Sequence, residues 1–261
     1  MGVEQVTFTA RGLRTGELGT IRLTRVRGPV VFAVGAGELD REAIELGAGP
    51  GGSSAAAGGQ PLAGLERVLA ALAGMSVHSG VEVRLDGPEL PLLDAGGLEI
   101  ALGLRALAAP RDRPRLRVIQ SGEILAGRAR YSFEPKPTVE VVAEVDGPGG
   151  TWERAEWDGA RASFLTRVAA RPLQIGGVEG VRALAGSALP EPDGEPPSLL
   201  GARQGGREEA RGALLRLLAD LYRFGGPPLG RVVARRPDHA VSRHALTQGL
   251  AFGLLERLPP V

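Results

Sequence analysis

Glu66 and Arg67 stand side by side in Leu65-Glu66-Arg67-Val68-Leu69-Ala70-Ala71-Leu72-Ala73-Gly74, a run whose apolar residues recur at helical spacing. A carboxylate there can take a proton from a reacting group, and a guanidinium beside it can hold a carboxylate or phosphate through paired N–H donors. Further along, Gly212, Arg216 and Asp220 step four residues at a time. Their directions drift only about 40° per step, so a helix carries all three on one face. The chain has three histidines, His78, His239 and His244, the side chains suited to proton transfer near neutral pH. Last, Gly49-Pro50-Gly51-Gly52-Ser53-Ser54-Ala55-Ala56 has the small residues of a phosphate-binding loop, which aims backbone N–H groups at phosphate from the start of a helix. Here Gly58, Gly59 and Pro61 follow at once and interrupt any such helix, so residues 47–59 read as a flexible loop.

Plainer roles exist for the same residues. Arg216 and Asp220 at i, i+4 fit an ordinary helix-surface ion pair, and Glu66 suits the first turn of a helix because it opposes the dipole. His78 follows a helix stop and His244 lies at the opening of the last helix, where surface or capping roles are ordinary. His78, His239 and Asp94 share none of the i, i+3 or i, i+4 spacings that preorganise metal ligands.

The elements that must position these groups alternate in kind. Short strands fill residues 3–34, helix 65–74 ends at Gly74, a strand covers 81–85, and a helix covers 98–108. Residues 109–114 are polar and hold two prolines, a linker composition that divides the chain into residues 1–110 and 111–261. Strands at 116–119, 129–134 and 139–145 follow, then a long helix at 208–224, a strand at 231–234 and a helix at 242–258. Strands then helices, twice, make an α+β protein of two similar halves.

Composition narrows the partners. The 261 residues are 43% apolar and 23% charged with a formal charge of +1, which excludes disorder and leaves no basic track for nucleic acid. Cysteine is absent, removing thiolate nucleophiles and cysteine zinc sites. The first residues carry no leader-like pattern and no apolar run reaches ~18 residues, so a cytoplasmic protein without a transmembrane segment is expected. All but one of the 31 basic residues are arginine, and asparagine does not occur.

Two segments carry a resemblance. Leu65 to Gly74, and Leu85-Asp86-Gly87-Pro88-Glu89-Leu90-Pro91-Leu92-Leu93-Asp94, resemble the V-E-H-L-L-x-A-L-x-G and L-D-x-P-E-x-P-I-M-D segments of the LpxC family, the zinc-dependent UDP-3-O-acyl-N-acetylglucosamine deacetylases of lipid A synthesis. Gly12-Leu13-Arg14-Thr15-Gly16-Glu17 resembles that family's G-L-H-[ST]-G-x turn. Asp220-Leu221-Tyr222-Arg223-Phe224-Gly225, Leu229 to Ala234 and His239-Ala240 resemble its G-D-L-Y-L-L-G, L-x-G-x-V-x-A and G-H-A-L-N segments. Residues 166–206, where the family has its acyl-chain passage, match poorly.

The resemblance implies two similar βα sandwich domains, each a sheet covered by helices, with an interdomain cleft. It also implies a changed site. The family's zinc ligands are two histidines and an aspartate, and the matching positions are Arg67, Gly212 and Arg216. Arginine has five donors and no lone pair to offer, and glycine has no side chain, so the metal is expected to be absent. Two guanidiniums at ~4 Å from a divalent ion would repel it by several kcal/mol even at an effective dielectric near 20. Arg14 stands where the family's turn has histidine. Glu66, Asp220 and His239 match the general base, the orienting acid and the cationic partner. Without zinc, Glu66 faces water of pKa ~15.7, and deacetylation is expected to fail. The expectation is a non-catalytic relative whose arginines replace the ion's charge, paired with Glu66 and Asp220. Its spare donors would take an anionic small molecule, a nucleotide-sugar or acyl ligand, or a protein partner. The alternative is a metal-independent hydrolase that uses Glu66 and His239 on a nucleotide sugar, or the family deacetylase itself with a rebuilt site.

Overall fold

The computed structural model describes residues 2–12, 16–35, 37–39, 41, 44–49, 52–57, 60–94, 97–169 and 205–259. Arg14 and most of the 166–206 stretch lie outside them. The described chain is α+β and builds two five-stranded mixed sheets.

In the first sheet, β1 (Gln5–Arg11) pairs antiparallel with β2 (Leu18–Pro29), and β2 pairs antiparallel with β8 (Ser79–Asp86). β8 then runs parallel to β3 (Val31–Val34), which pairs with β4 (Gly37–Leu39) at the edge. Period-two alternation sets the faces: Ile21 and Leu23 of β2 and Val81, Val83 and Leu85 of β8 are buried, with polar residues between them. The second sheet is built from β10 (Gly122–Ala126), β11 (Ala129–Glu134), β12 (Val139–Asp146), β13 (Trp152–Trp157) and β14 (Gly230–Arg235). Its order, β10-β11-β14-β12-β13, with the single parallel pair β12/β14, reproduces the order β1-β2-β8-β3-β4 with its parallel pair β3/β8. The two halves therefore share one topology.

The helices repeat as well. α1 (Leu65–Gly74) precedes β8 and α2 (Leu98–Ala106) follows it, as α3 (Gly205–Phe224) precedes β14 and α4 (His239–Ala251) follows it. α1 packs along α3. That position explains its composition: Val68 to Gly74 are all buried, a helix apolar on every side, and only Glu66 and Arg67 in the first turn remain partly exposed. Gly74 lets the Phe164 ring lie against the helix, because any Cβ there would strike it.

Asp94 starts α2. Its carboxylate accepts from the N–H groups of Gly97, Leu98 (3.1 Å) and Glu99 (3.0 Å), taking the donors that a helix start leaves orphaned. Asp94→Ala is expected to lower stability by about 1–2 kcal/mol, measured by urea unfolding, because three N–H groups lose one acceptor. A carboxylate so engaged is also removed from the metal site considered with His78 and His239.

Three expectations are corrected. Within residues 47–59, the described residues form strands instead of a flexible loop: β5 (Glu45–Gly49) pairs with β6 (Gly52–Ala57), and β6 with β7 (Gln60–Ala63). Backbone hydrogen bonding supplies what side-chain bulk does not, and among the described residues strand, not helix, follows Ser53 and Ser54, so a helix-based phosphate loop is not built there. The last helix ends at Ala251 because Gly253 takes φ +69°, and the following residues form β15 (Leu255–Arg257), which pairs with β9 (Leu116–Val118). His78 is buried, 2% exposed, not a surface residue. Residues 109–114 do connect the two sheets, and they are held: Arg161 donates to the carbonyls of Met75 and Pro110, both at 2.6 Å, and Asp112 accepts from His78 N–H and the Ser79 hydroxyl.

Candidate functional site

Both α1 and α3 close with the same backbone turn. Val77 N–H donates to Leu72 C=O and Gly226 N–H to Leu221 C=O, each at 2.9 Å, the six-to-one bond of a Schellman-type stop. These two ends meet: the Tyr222 hydroxyl donates to Val77 C=O at 2.8 Å, and the His78 ring stacks on the Tyr222 ring at 5.2 Å. Helices that lie along each other with their carboxyl ends together run in the same direction. Counting ten residues back from Val77 and from Gly226 gives Arg67 and Arg216. The two arginines therefore hold corresponding positions on corresponding helices. Both are half-buried, and among the described residues neither makes an ion pair.

The expected pairing of these arginines with Glu66 and Asp220 is corrected. Asp220 is 1% exposed and its Oδ1 lies 2.8 Å from His239 Nδ1, while its Oδ2 has no hydrogen-bond partner. Glu66 Oε2 is likewise buried without a partner. The reason is direction: Asp220 is turned to α4, whose first residue is His239, so the i, i+4 spacing to Arg216 goes unused. Burial pushes the Asp220 carboxyl up, against the lowering influence of His239. Ser242, whose hydroxyl lies 2.8 Å from the Tyr131 hydroxyl, lowers it as well. Asp238 caps α4 through Val241 N–H at 2.8 Å and fixes His239 at the helix start.

The small sheet completes the surroundings, with β6 against α1 and β5 against α4. The structure thus brings Asp220 and His239 into contact and places Glu66, Arg67, Gly212 and Arg216 on the packed pair α1 and α3. His244 is exposed on α4, apart from them. Zinc does not fit positions 67, 212 and 216, which offer no lone pair, and among the described residues no group of three His, Asp or Glu side chains is arranged to hold a metal ion. His78, Asp94 and His239 stand at three different helix ends. No helix among the described residues is long and apolar enough to cross a membrane.

Sequence reasoning missed the surroundings of His78. Burial, then the charges of Arg115 and Arg41, push its imidazole down to about 3. The unfolded chain binds this proton below pH 6.5 and the folded chain does not until about 3. Stability is therefore at its full value above pH 6.5 and declines as pH falls through that window, by up to about 1.4 kcal/mol per unit. Asp220 has the opposite sign, since a raised folded pKa favours folding in acid and loses that share as pH rises. The difference between the stability profiles of the protein and His78→Phe, which keeps the stack on Tyr222, is expected to isolate the first slope in urea melts between pH 7.5 and pH 5.

Comparison with known proteins adds nothing to this geometry: no family model matches the sequence, and no curated protein matches it significantly.

Proposed function

We propose that this chain is a non-catalytic relative of the LpxC-type zinc deacetylases, in which two arginines and a glycine stand at the metal positions and the seam between α1 and α3 binds an anionic ligand such as a nucleotide sugar. The observation that carries the reading is the placement of Arg67 and Arg216 at corresponding positions of two packed, parallel helices, with no ion pair among the described residues. Half-buried guanidiniums without carboxylate partners offer paired donors to phosphate or carboxylate. Glu66, with one buried orphan oxygen, supplies an acceptor beside them for a ligand hydroxyl or amide N–H.

Elemental analysis of the purified protein is expected to find no stoichiometric zinc. Uridine diphosphate is expected to bind saturably by calorimetry and to lose about tenfold in affinity in Arg67→Gln and in Arg216→Gln, the effect of removing one charged donor. One zinc per chain, or unchanged binding in both variants, overturns the proposal.

The intact Asp220–His239 contact favours one second reading, a hydrolase that works without metal. In it His239, held by Asp220, steadies the developing oxyanion while Glu66 takes a proton from water. Turnover of a UDP-acyl-sugar that persists with chelator and vanishes in Glu66→Ala would select this reading over the first.

A further inference from the structure

At the other end of the α1/α3 pair, where the carboxyl termini meet, lies an open cavity of about 610 Å³ lined by Pro29, Val30, Val31, Glu38, Leu39, Arg41, His78 and Arg115. Its charged side is built from several parts of the fold. Arg41 lies over the Tyr222 ring, 5.7 Å from its centre, and Tyr222 in turn stacks on His78 at 5.2 Å with an interplanar angle of 9°. Arg115 reaches in from the segment between the sheets and donates to His78 C=O at 3.1 Å. Two polar atoms here are buried without any hydrogen bond, Arg41 Nε and His78 Nδ1, the latter on a residue only 2% exposed. A native fold leaves few such atoms orphaned, and both belong to residues that line this one cavity.

We infer that this cavity is a binding site for a small oxyanion carrying an apolar body, an aryl or alkyl phosphate or carboxylate. The guanidiniums of Arg41 and Arg115 supply the donors that fit planar or tetrahedral oxyanions. Asp112 is used by His78 N–H (2.6 Å) and the Ser79 hydroxyl (2.8 Å), so the lining sets two guanidiniums against one carboxylate, that of Glu38, an exposed residue of the edge strand. His78 is neutral at pH 7, so it adds no charge of its own to the lining. Pro29, Val30, Val31 and Leu39 provide the wall against which an apolar body would rest. Arg41 and His78 belong to the first half and Arg115 to the second, so an occupant meets groups from both, and the site is independent of the function proposed for the Arg67/Arg216 seam.

The probes are phenyl phosphate, benzoate and inorganic phosphate, titrated into the full chain by calorimetry and followed by the imidazole Cε1–H signals of its three histidines. Phenyl phosphate or benzoate is expected to bind saturably in the millimolar range or below and to shift the His78 signal while His239 and His244 stay in place. The stronger of the two organic probes identifies the anion class, and weaker binding of inorganic phosphate registers the apolar wall. Arg41→Gln is expected to weaken binding at least about tenfold with the melting curve retained, while Arg130→Gln, on the exposed side of β11, leaves it unchanged. Absence of saturable binding for all three probes, shifts at His239 in place of His78, or equal affinity in folded Arg41→Gln overturns the inference.

Discussion

Asp220→Ala is expected to destabilise the protein by about 3–5 kcal/mol in urea unfolding, because it leaves the His239 imidazole, 6% exposed, without the carboxylate that lies 2.8 Å from its Nδ1. The side chain is enclosed by α4 and the second sheet, where water cannot replace it. Asp220→Asn is expected to cost much less, since an amide oxygen still accepts from Nδ1–H. His239→Ala should be nearly as damaging as Asp220→Ala, and the double variant should cost clearly less than the two single losses added, because the same contact is removed only once. A cost of under ~1 kcal/mol for Asp220→Ala, or strict additivity, would mean that the pair is incidental to the fold.

The second large effect is a gain. On the proposed relation to the zinc deacetylases, placing lone pairs at three positions, Arg67→His, Gly212→His and Arg216→Asp together, is expected to give a chain that takes up one zinc per chain, where the unsubstituted chain is expected to take up none. Two histidines and a carboxylate are a sufficient catalytic zinc set, and α1 and α3 already lie side by side with positions 67 and 216 in correspondence. Bound metal then adds to stability by mass action, about 4 kcal/mol at a thousandfold excess over the dissociation constant, which thermal melts with and without chelator read directly. A folded triple variant with no zinc would show that the two helices do not present these positions to one point, and would remove the resemblance to a zinc deacetylase as a guide to the seam.

These two experiments probe different properties of the protein. The first concerns how tertiary packing holds a buried acid and imidazole together, the second what the identity of three side chains permits chemically. The Arg67/Arg216 seam and the cavity by His78 are also separable, since they lie toward opposite ends of one helix pair.

Much of this was legible in the chain itself. Helical periodicity marked Leu65–Gly74 with both its bounds, and alternation marked Ala129–Glu134, because those patterns are local and depend on residues a few positions apart. The incapacity of positions 67, 212 and 216 to hold zinc also follows from residue type alone, since no packing gives a guanidinium a lone pair. What needed the folded chain was every relation between distant segments. Spacing alone fits Arg216 to Asp220, yet Asp220 bonds to His239, nineteen positions further on, because α4 delivers its first imidazole to that carboxylate. Gly, Ala and Ser give residues 47–59 no side-chain pattern, and the strands formed by the described residues there arise from backbone pairing, to which side-chain periodicity is blind. Arg41, His78, Arg115 and Tyr222 have no shared motif at all. Helix ends, an edge strand and the segment between the sheets converge to bring them together, and a one-dimensional text holds no distances of that kind.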